Sequence, residues 1–341
     1  MNLPAAFELY RDELEAALRS IIEVDSLPLY DMMSYHLGWV DEGGHPQTQR
    51  RAKLLRPTIC LLACKAAGGE PRQALPAAAA VELLHNFSLI HDDIEDGSPY
   101  RRHQLTVWRI WGQSQAINVG DAMHALSQLA LLRLKERGVA PEKIICATET
   151  LDKACVQLCE GQYLDIAYEG RLNISVQDYI NMILRKTAAL FAASARLGAL
   201  MGTEDETIID NLSSFGQELG LAYQIRDDVL GIWGKEEEMG KPSYSDIQKR
   251  KKTLPIIYGM ERGSEQEEKG LRSFFQQETI EHEDIGRIVE ILDKIGAQSY
   301  AQEMAEVHHR RSLSALEAAG LDPFVRKELA DLATFLLERS Y

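Results

Sequence analysis

The chain has 341 residues and carries 37 Lys and Arg against 52 Asp and Glu, a formal net charge of −15. With 45% hydrophobic and 26% charged residues it has the composition of a folded globular protein, long enough for one large or two modest domains. The acidic balance argues against a nucleic-acid partner, which needs clustered Lys and Arg, and against docking on an anionic membrane. A small anionic ligand stays open, because metal ions bridge an acidic protein to an acidic ligand.

In chain order, the amino-terminal stretch Met1 to Leu18 is acidic where a signal peptide would be basic and then apolar. No later run approaches the ~20 apolar residues of a membrane span. The expectation is a soluble, cytoplasmic protein with no stable membrane anchor. Apolar residues at three- and four-residue spacing predict helices over Ala5–Ile22, Ala74–Ile94, Leu105–Leu134, Lys143–Tyr168, Val176–Met201, Glu206–Trp233, Glu281–Ala319 and Pro323–Arg339. Breaks are expected at Gly68-Gly69, Gly138, Gly170, Gly202, Gly240 and Gly320. Alternating strand patterns are scarce. No Pro-, Gly- or Ser-rich linker divides the chain, so residues 1–341 read as a single all-α domain whose longest polar loop is Lys235–Lys252. The cysteines at 60, 64, 146, 155 and 159 form neither a zinc pattern nor a disulfide framework and read as small buried hydrophobes.

Two acidic pairs stand out. The run His91-Asp92-Asp93-Ile94-Glu95-Asp96 ends an apolar helix, and Asp92 and Asp96 are one turn apart on one face. Like charges at that spacing repel unless a cation sits between them, and a negative C-terminal turn also opposes the helix dipole. A solvated acidic helix end is the alternative; oxygen ligands of this kind suit Mg²⁺. The second pair, Asp227-Asp228, also follows an apolar helix, and Lys241, Lys249, Lys251 and Lys252 trail it.

These elements resemble a trans-isoprenyl diphosphate synthase of the polyprenyl synthetase family over nearly the whole chain. Asp92 to Asp96 matches the family's DDxxD motif, and Tyr100-Arg101-Arg102 follows at its spacing. Lys53 to Pro57 resembles the upstream GKxxRP element and Glu82 to Asn86 the ELxH element. Glu160 to Asp165, Arg185-Lys186-Thr187, Gln224 to Asp228, Gly240-Lys241-Pro242 and Lys251 to Pro255 complete the series in order.

The resemblance implies a helical bundle of the isoprenoid synthase type with a central active-site cavity. It implies joining isopentenyl diphosphate to an allylic diphosphate (dimethylallyl, geranyl or farnesyl). Ionising the allylic C–O bond frees diphosphate, which metal ions and cationic clamps stabilise as it leaves, and which takes the final proton. It further implies Mg²⁺, three ions with bound diphosphate, held by Asp92, Asp96 and Asp227. Arg101, Lys186, Thr187, Gln224, Lys241 and Lys251 would grip the allylic diphosphate, while Lys53, Arg56, His85 and Arg102 would hold isopentenyl diphosphate. A lone histidine on an apolar helix is ordinarily packed core, and a charge run such as Lys249–Lys252 is ordinarily solvated; only Lys251 of that run is assigned a role. Asp165, Asp228 and Asp246 read either as metal neighbours or as structural.

Four departures bear on the resemblance. Gly231 replaces the last Asp of the second motif, which predicts altered metal affinity rather than lost activity. Arg51-Ala52 stand where Gly-Gly is common, Leu54 where Arg is, and His103-Gln104-Leu105 where Gly-x-Pro is. Phe87 and Ser88, five and four places before Asp92, resemble the chain-length floor of a geranylgeranyl diphosphate synthase, so a C20 product is expected, with farnesyl diphosphate or longer chains as alternatives. A class I terpene cyclase would need a hydroxyl residue and a Glu where Gly231 and Lys235 stand; a catalytically silent regulatory subunit is the remaining alternative. The family also implies a homodimer.

Overall fold

The computed structural model describes residues 5–47, 54–234, 244–277 and 279–338. Helices α1 (Ala5–Leu9), α2 (Arg11–Ile22) and α3 (Pro28–His36) lead into α4 (Leu55–Ala66) and α5 (Leu75–Glu95). A hairpin of β1 (Tyr100–Arg101) and β2 (Gln104–Leu105) precedes α6 (Val107–Trp111), α7 (Gln113–Leu132) and α8 (Pro141–Glu169). Next come α9 (Val176–Ile183), a single π turn over Leu184–Ala188, α10 (Ala189–Gly202) and α11 (Glu206–Trp233). The last third is helical over Ser245–Gln248, Leu254–Arg262, Glu265–Gln276, His282–Lys294, Ala297–Ala318 and Pro323–Glu338.

The centre is built from helices that are apolar all round, as buried helices must be. In α4 the run Ile59 to Cys64 is inaccessible, and in α5 so are Ala77 to Val81, whose small side chains let neighbours approach closely. Helix α5 packs against α4 and α7, α10 against α4, α8 and α11, and α11 also against Ala297–Ala318. Phe191 and Phe215, fully buried between α10 and α11, are each worth ~3–5 kcal/mol against truncation to Ala. Local signals mark the ends. Asp205 accepts from the backbone N–H of Thr207 at 2.8 Å to start α11, and Ser175 and Asp178 form a capping box at α9.

Three expected helices are divided. Gly112 (φ 84°) separates α6 from α7, and Gly296 (φ 72°) separates His282–Lys294 from Ala297–Ala318; such a φ ends an α-helix. Tyr10 interrupts the first helix. Gly68, Gly138 and Gly320 do take positive φ at helix ends, whereas Gly240 and the first half of the expected 235–252 loop lie outside the described residues, and the second half is not all loop but holds the short helix Ser245–Gln248. The cysteine reading holds for Cys60, Cys64 and Cys155 but not for Cys146 and Cys159, which are exposed. Among the described residues no helix is long and apolar enough to cross a membrane.

Candidate active site

A cavity of about 600 Å³ opens between α5, α8, the π turn and α11. Helix α5 presents His85, Phe87, Ser88 and Asp92 to it; α4 adds Arg56, the hairpin Arg101 and Arg102, the π turn Lys186 and Thr187. From the far side come Gln224 and Asp227 on α11 and Lys251 from the segment after it. Asp96 caps the end of α5, one turn beyond Asp92, outside the cavity lining. Lys53 and Lys241 lie outside the described residues.

The π turn explains how Lys186 and Thr187 enter. It inserts an extra residue into an otherwise continuous helical run, a geometry common at functional sites. Gly161 on α8 faces it so closely that a Cβ there would stand 2.2 Å from the Lys186 backbone nitrogen. Lys186 Nζ donates to Asp165 Oδ2 at 2.5 Å and lies 3.4 Å from Asp92 Oδ1. Burial works to lower the Lys186 pKa, but Asp165, Asp92 and Asp96 together outweigh it and raise it, keeping the ammonium charged. Thr187 Oγ1 donates to Gln224 Oε1 at 2.8 Å, and Gln224 Nε2 donates to Asp228 Oδ1 at 3.1 Å.

Asp228 is the inward member of its pair. It accepts from the Tyr179 hydroxyl and, at 3.0 Å, from the Leu254 backbone N–H at the start of Leu254–Arg262. Burial pushes its carboxyl up to about 7 despite these donors. This carboxylate thus ties α9, α11 and the following segment together and sets Lys251 at the cavity. Desolvation works against the Lys251 ammonium, while Asp246 and then Asp96 raise its pKa. Its neighbour departs from expectation: Lys252 is buried, with Nζ 3.2 Å from the Glu169 carbonyl and 4.9 Å from the Phe275 ring centre, and burial brings its pKa down to about 8.

Asp93 likewise points inward from the first motif. It receives Arg101 Nε on both oxygens at 2.9 Å and Nη2 at 2.8 Å. Arg101 therefore borders the cavity while anchored from behind. The next two residues, Arg102 (φ 49°) and His103 (φ 62°), make the turn of the hairpin, as a two-residue connection of the primed type requires. Non-glycine residues pay strain for this conformation, and it carries the Arg102 guanidinium back into the cavity. Tyr35 holds the hairpin by donating to the Leu105 carbonyl at 2.9 Å, and Trp108 by donating to that of Ser98 at 2.9 Å.

Arg56 and His85 meet at 3.1 Å between Nη1 and Nε2, with the Arg56 guanidinium 4.7 Å from the Phe191 ring centre. Burial, then Arg56 and Arg102, hold the His85 pKa well below 6.5, so the imidazole is neutral. Glu82, buried on α5 and raised in pKa by that burial, is the nearby carboxyl that favours charge on both arginines. Phe87, in the cavity lining, packs edge-on against His91 at 4.9 Å and His124 at 5.2 Å between ring centres. The residues that sequence reasoning missed, such as His124, Tyr179 and the Asp93–Arg101 pair, act on neighbours far away in sequence or on the opposite helix face.

A family model described as Polyprenyl synthetase matches residues 39–292. The chain is 36% identical over 312 residues to a (2E,6E)-farnesyl diphosphate synthase of Mycobacterium bovis, covering 90% of this chain and 85% of that one. It is 36% identical over 319 residues to a geranylgeranyl diphosphate synthase of Mycobacterium tuberculosis, covering 94% and 90%. Among solved structures, a polyprenyl synthetase from Streptomyces coelicolor A3(2) superimposes with a TM-score of 0.92 at 35% identity, covering 98% and 100%. A geranylgeranyl pyrophosphate synthase from Corynebacterium glutamicum, complexed with isoprenyl diphosphate and magnesium, gives 0.84 at 27%, covering 99% and 100%.

Proposed function

The chain belongs to the polyprenyl synthetase family, and from that premise we propose that it condenses isopentenyl diphosphate with an allylic diphosphate in an Mg²⁺-dependent reaction. The observation that carries this reading is convergence on one cavity. Asp92 on α5 and Asp227 on α11 both line it, together with the cationic side chains of Arg56, Arg101, Arg102, Lys186 and Lys251 from four elements. Oxygen donors so placed fit Mg²⁺, which takes one or two carboxylates and completes its shell with phosphate oxygens and water.

In this reading Asp92 and Asp96 hold Mg²⁺ from one side and Asp227 from the other, three ions in all with diphosphate bound. There the ions supply Lewis-acid stabilisation of the leaving group. Lys186, Thr187, Gln224, Lys251 and Arg101, with Lys241, clamp the allylic diphosphate; the anchors at Asp165, Asp228 and Asp93 pre-set their positions. Arg56, His85 and Arg102, with Lys53, hold isopentenyl diphosphate so that its double bond faces the allylic carbon. Neutral His85 orients Arg56 rather than adding charge. The proton lost after C–C bond formation passes to the departed diphosphate.

The product assigned is geranylgeranyl diphosphate. Support comes from Phe87 in the cavity lining, backed by His91 and His124, with small Ser88 beside it. Assembly as a homodimer is supported by the large apolar side chains that α7 and α8 leave exposed, among them Leu129, Leu132, Ile145, Val156 and Tyr163; light scattering tests it. The decisive assay supplies Mg²⁺, labelled isopentenyl diphosphate and each allylic primer, then measures chain length. A C15 end product refutes the C20 assignment. A cyclic hydrocarbon indicates a cyclase, and no elongation with any primer a silent subunit.

A further inference from the structure

Position 231 lies one helical turn beyond Asp227 on α11 and shares its face, yet it holds glycine. The volume a side chain would take there is occupied. A Cβ built on Gly231 would stand 1.9 Å from Asp246 Oδ2 and 2.7 Å from its Cγ. Asp246 comes from Ser245–Gln248, the short helix that follows α11 in the described chain and packs against it. Its backbone carbonyl accepts from the Lys251 N–H at 2.9 Å, so one turn of chain presents the Asp246 carboxylate to α11 and Lys251 to the cavity. Asp246 is also the strongest favourable charge acting on Lys251.

We propose that Asp246 supplies, from the segment after α11, the carboxylate that position 231 lacks, and that Gly231 is what admits it to the Asp227 side of the metal–diphosphate site. The inference rests on the reading of Asp227 as a metal-holding residue. Its physical content is exclusion. No side chain larger than hydrogen fits at 231 while Asp246 is in place, so restoring an aspartate at 231 displaces one carboxylate instead of adding another.

The test is calorimetric binding of inorganic pyrophosphate by the full chain, with and without MgCl₂, alongside thermal melts. Asp246→Asn keeps the shape and removes the charge; it should weaken Mg²⁺-dependent pyrophosphate binding by about tenfold, the lower end of what supporting carboxylates of a metal site are worth. Gly231→Asp should weaken binding as well, and the double variant Gly231→Asp/Asp246→Ala should recover most of the loss. Wild-type affinity in Asp246→Asn, or a folded double variant that binds no better than Asp246→Asn, would overturn the proposal while leaving the parent site intact. Absence of Mg²⁺-dependent pyrophosphate binding in the unmodified protein would overturn the parent reading and the proposal with it.

Discussion

Replacing Gly161 by alanine adds one methyl group outside the cavity's reactive residues, yet it should cripple the enzyme. The new Cβ would lie 2.2 Å from the Lys186 nitrogen and 2.5 Å from its Cα. Ordinary contact between such atoms needs about 3.4 Å or more, so α8 and the π turn must part by about 1.2 Å. Both obstacles are backbone and neither can swing aside. Overpacking of this kind costs ~1–3 kcal/mol of stability. The larger effect is on Lys186, whose 2.5 Å bond to Asp165 and 3.4 Å approach to Asp92 fix its ammonium beside the acidic motif. Misplacing a positioned group by about 1 Å costs on the order of 100-fold in rate. Steady-state elongation of an allylic primer, with Lys186→Ala in parallel, is the assay. A Gly161→Ala protein with wild-type kcat and an unshifted melt would refute the argument that this glycine sets the approach of the π turn.

Truncating His124 to Ala should loosen the Phe87 ring, and Phe87→Ala should remove the floor, so both variants should shift products to longer chains in reversed-phase analysis; unchanged chain lengths in both would remove the floor assignment. His103→Gly relieves one left-handed non-glycine residue and should raise stability by ~1 kcal/mol in denaturant melts without slowing elongation. Stability should also depend on pH. His36 and His85 are both held well below 6.5, first by burial and then by nearby arginines, so the unfolded chain takes up protons that the folded one refuses. Their contribution is present above 6.5 and lost as the pH falls. Asp228, raised to about 7, acts oppositely: its contribution is present below its unfolded value near 3.8 and lost as the pH rises through 7. Between about pH 6 and 5 two histidines oppose one carboxyl, so these three groups together lose stability as the pH is lowered. A flat urea-denaturation profile over that range would contradict the burial of these groups.

The helical architecture was legible because apolar residues keep three- and four-residue spacing along α8 and α11. The breaks at Gly112 and Gly296 were not, since an isolated glycine within an apolar pattern carries no sign of its φ. At the site, the one-turn spacing of Asp92 and Asp96 was readable along one helix. The inward partners Asp93 and Asp228 were not, because each one's meaning lies in a residue on another element, Arg101 in the hairpin and Tyr179 on α9. Lys252 illustrates the same limit. Its charge suggests solvent, and only the fold supplies the Glu169 carbonyl and the Phe275 ring that let it be buried.

The π turn over Leu184–Ala188 has a cost that the chain could shed by losing a single residue. Such a deletion would restore an unbroken α-helical ladder from α9 into α10, a more regular and locally more favourable backbone. It would also rotate everything on one side of the deletion by about 100° relative to the other. Lys186 and Thr187 could not then both face Asp165 and Gln224 while α10 kept its packing on α4. The segment is therefore a point where folding stability and activity pull in opposite directions, and a stabilised variant selected there without regard to turnover should be expected to lose the enzyme.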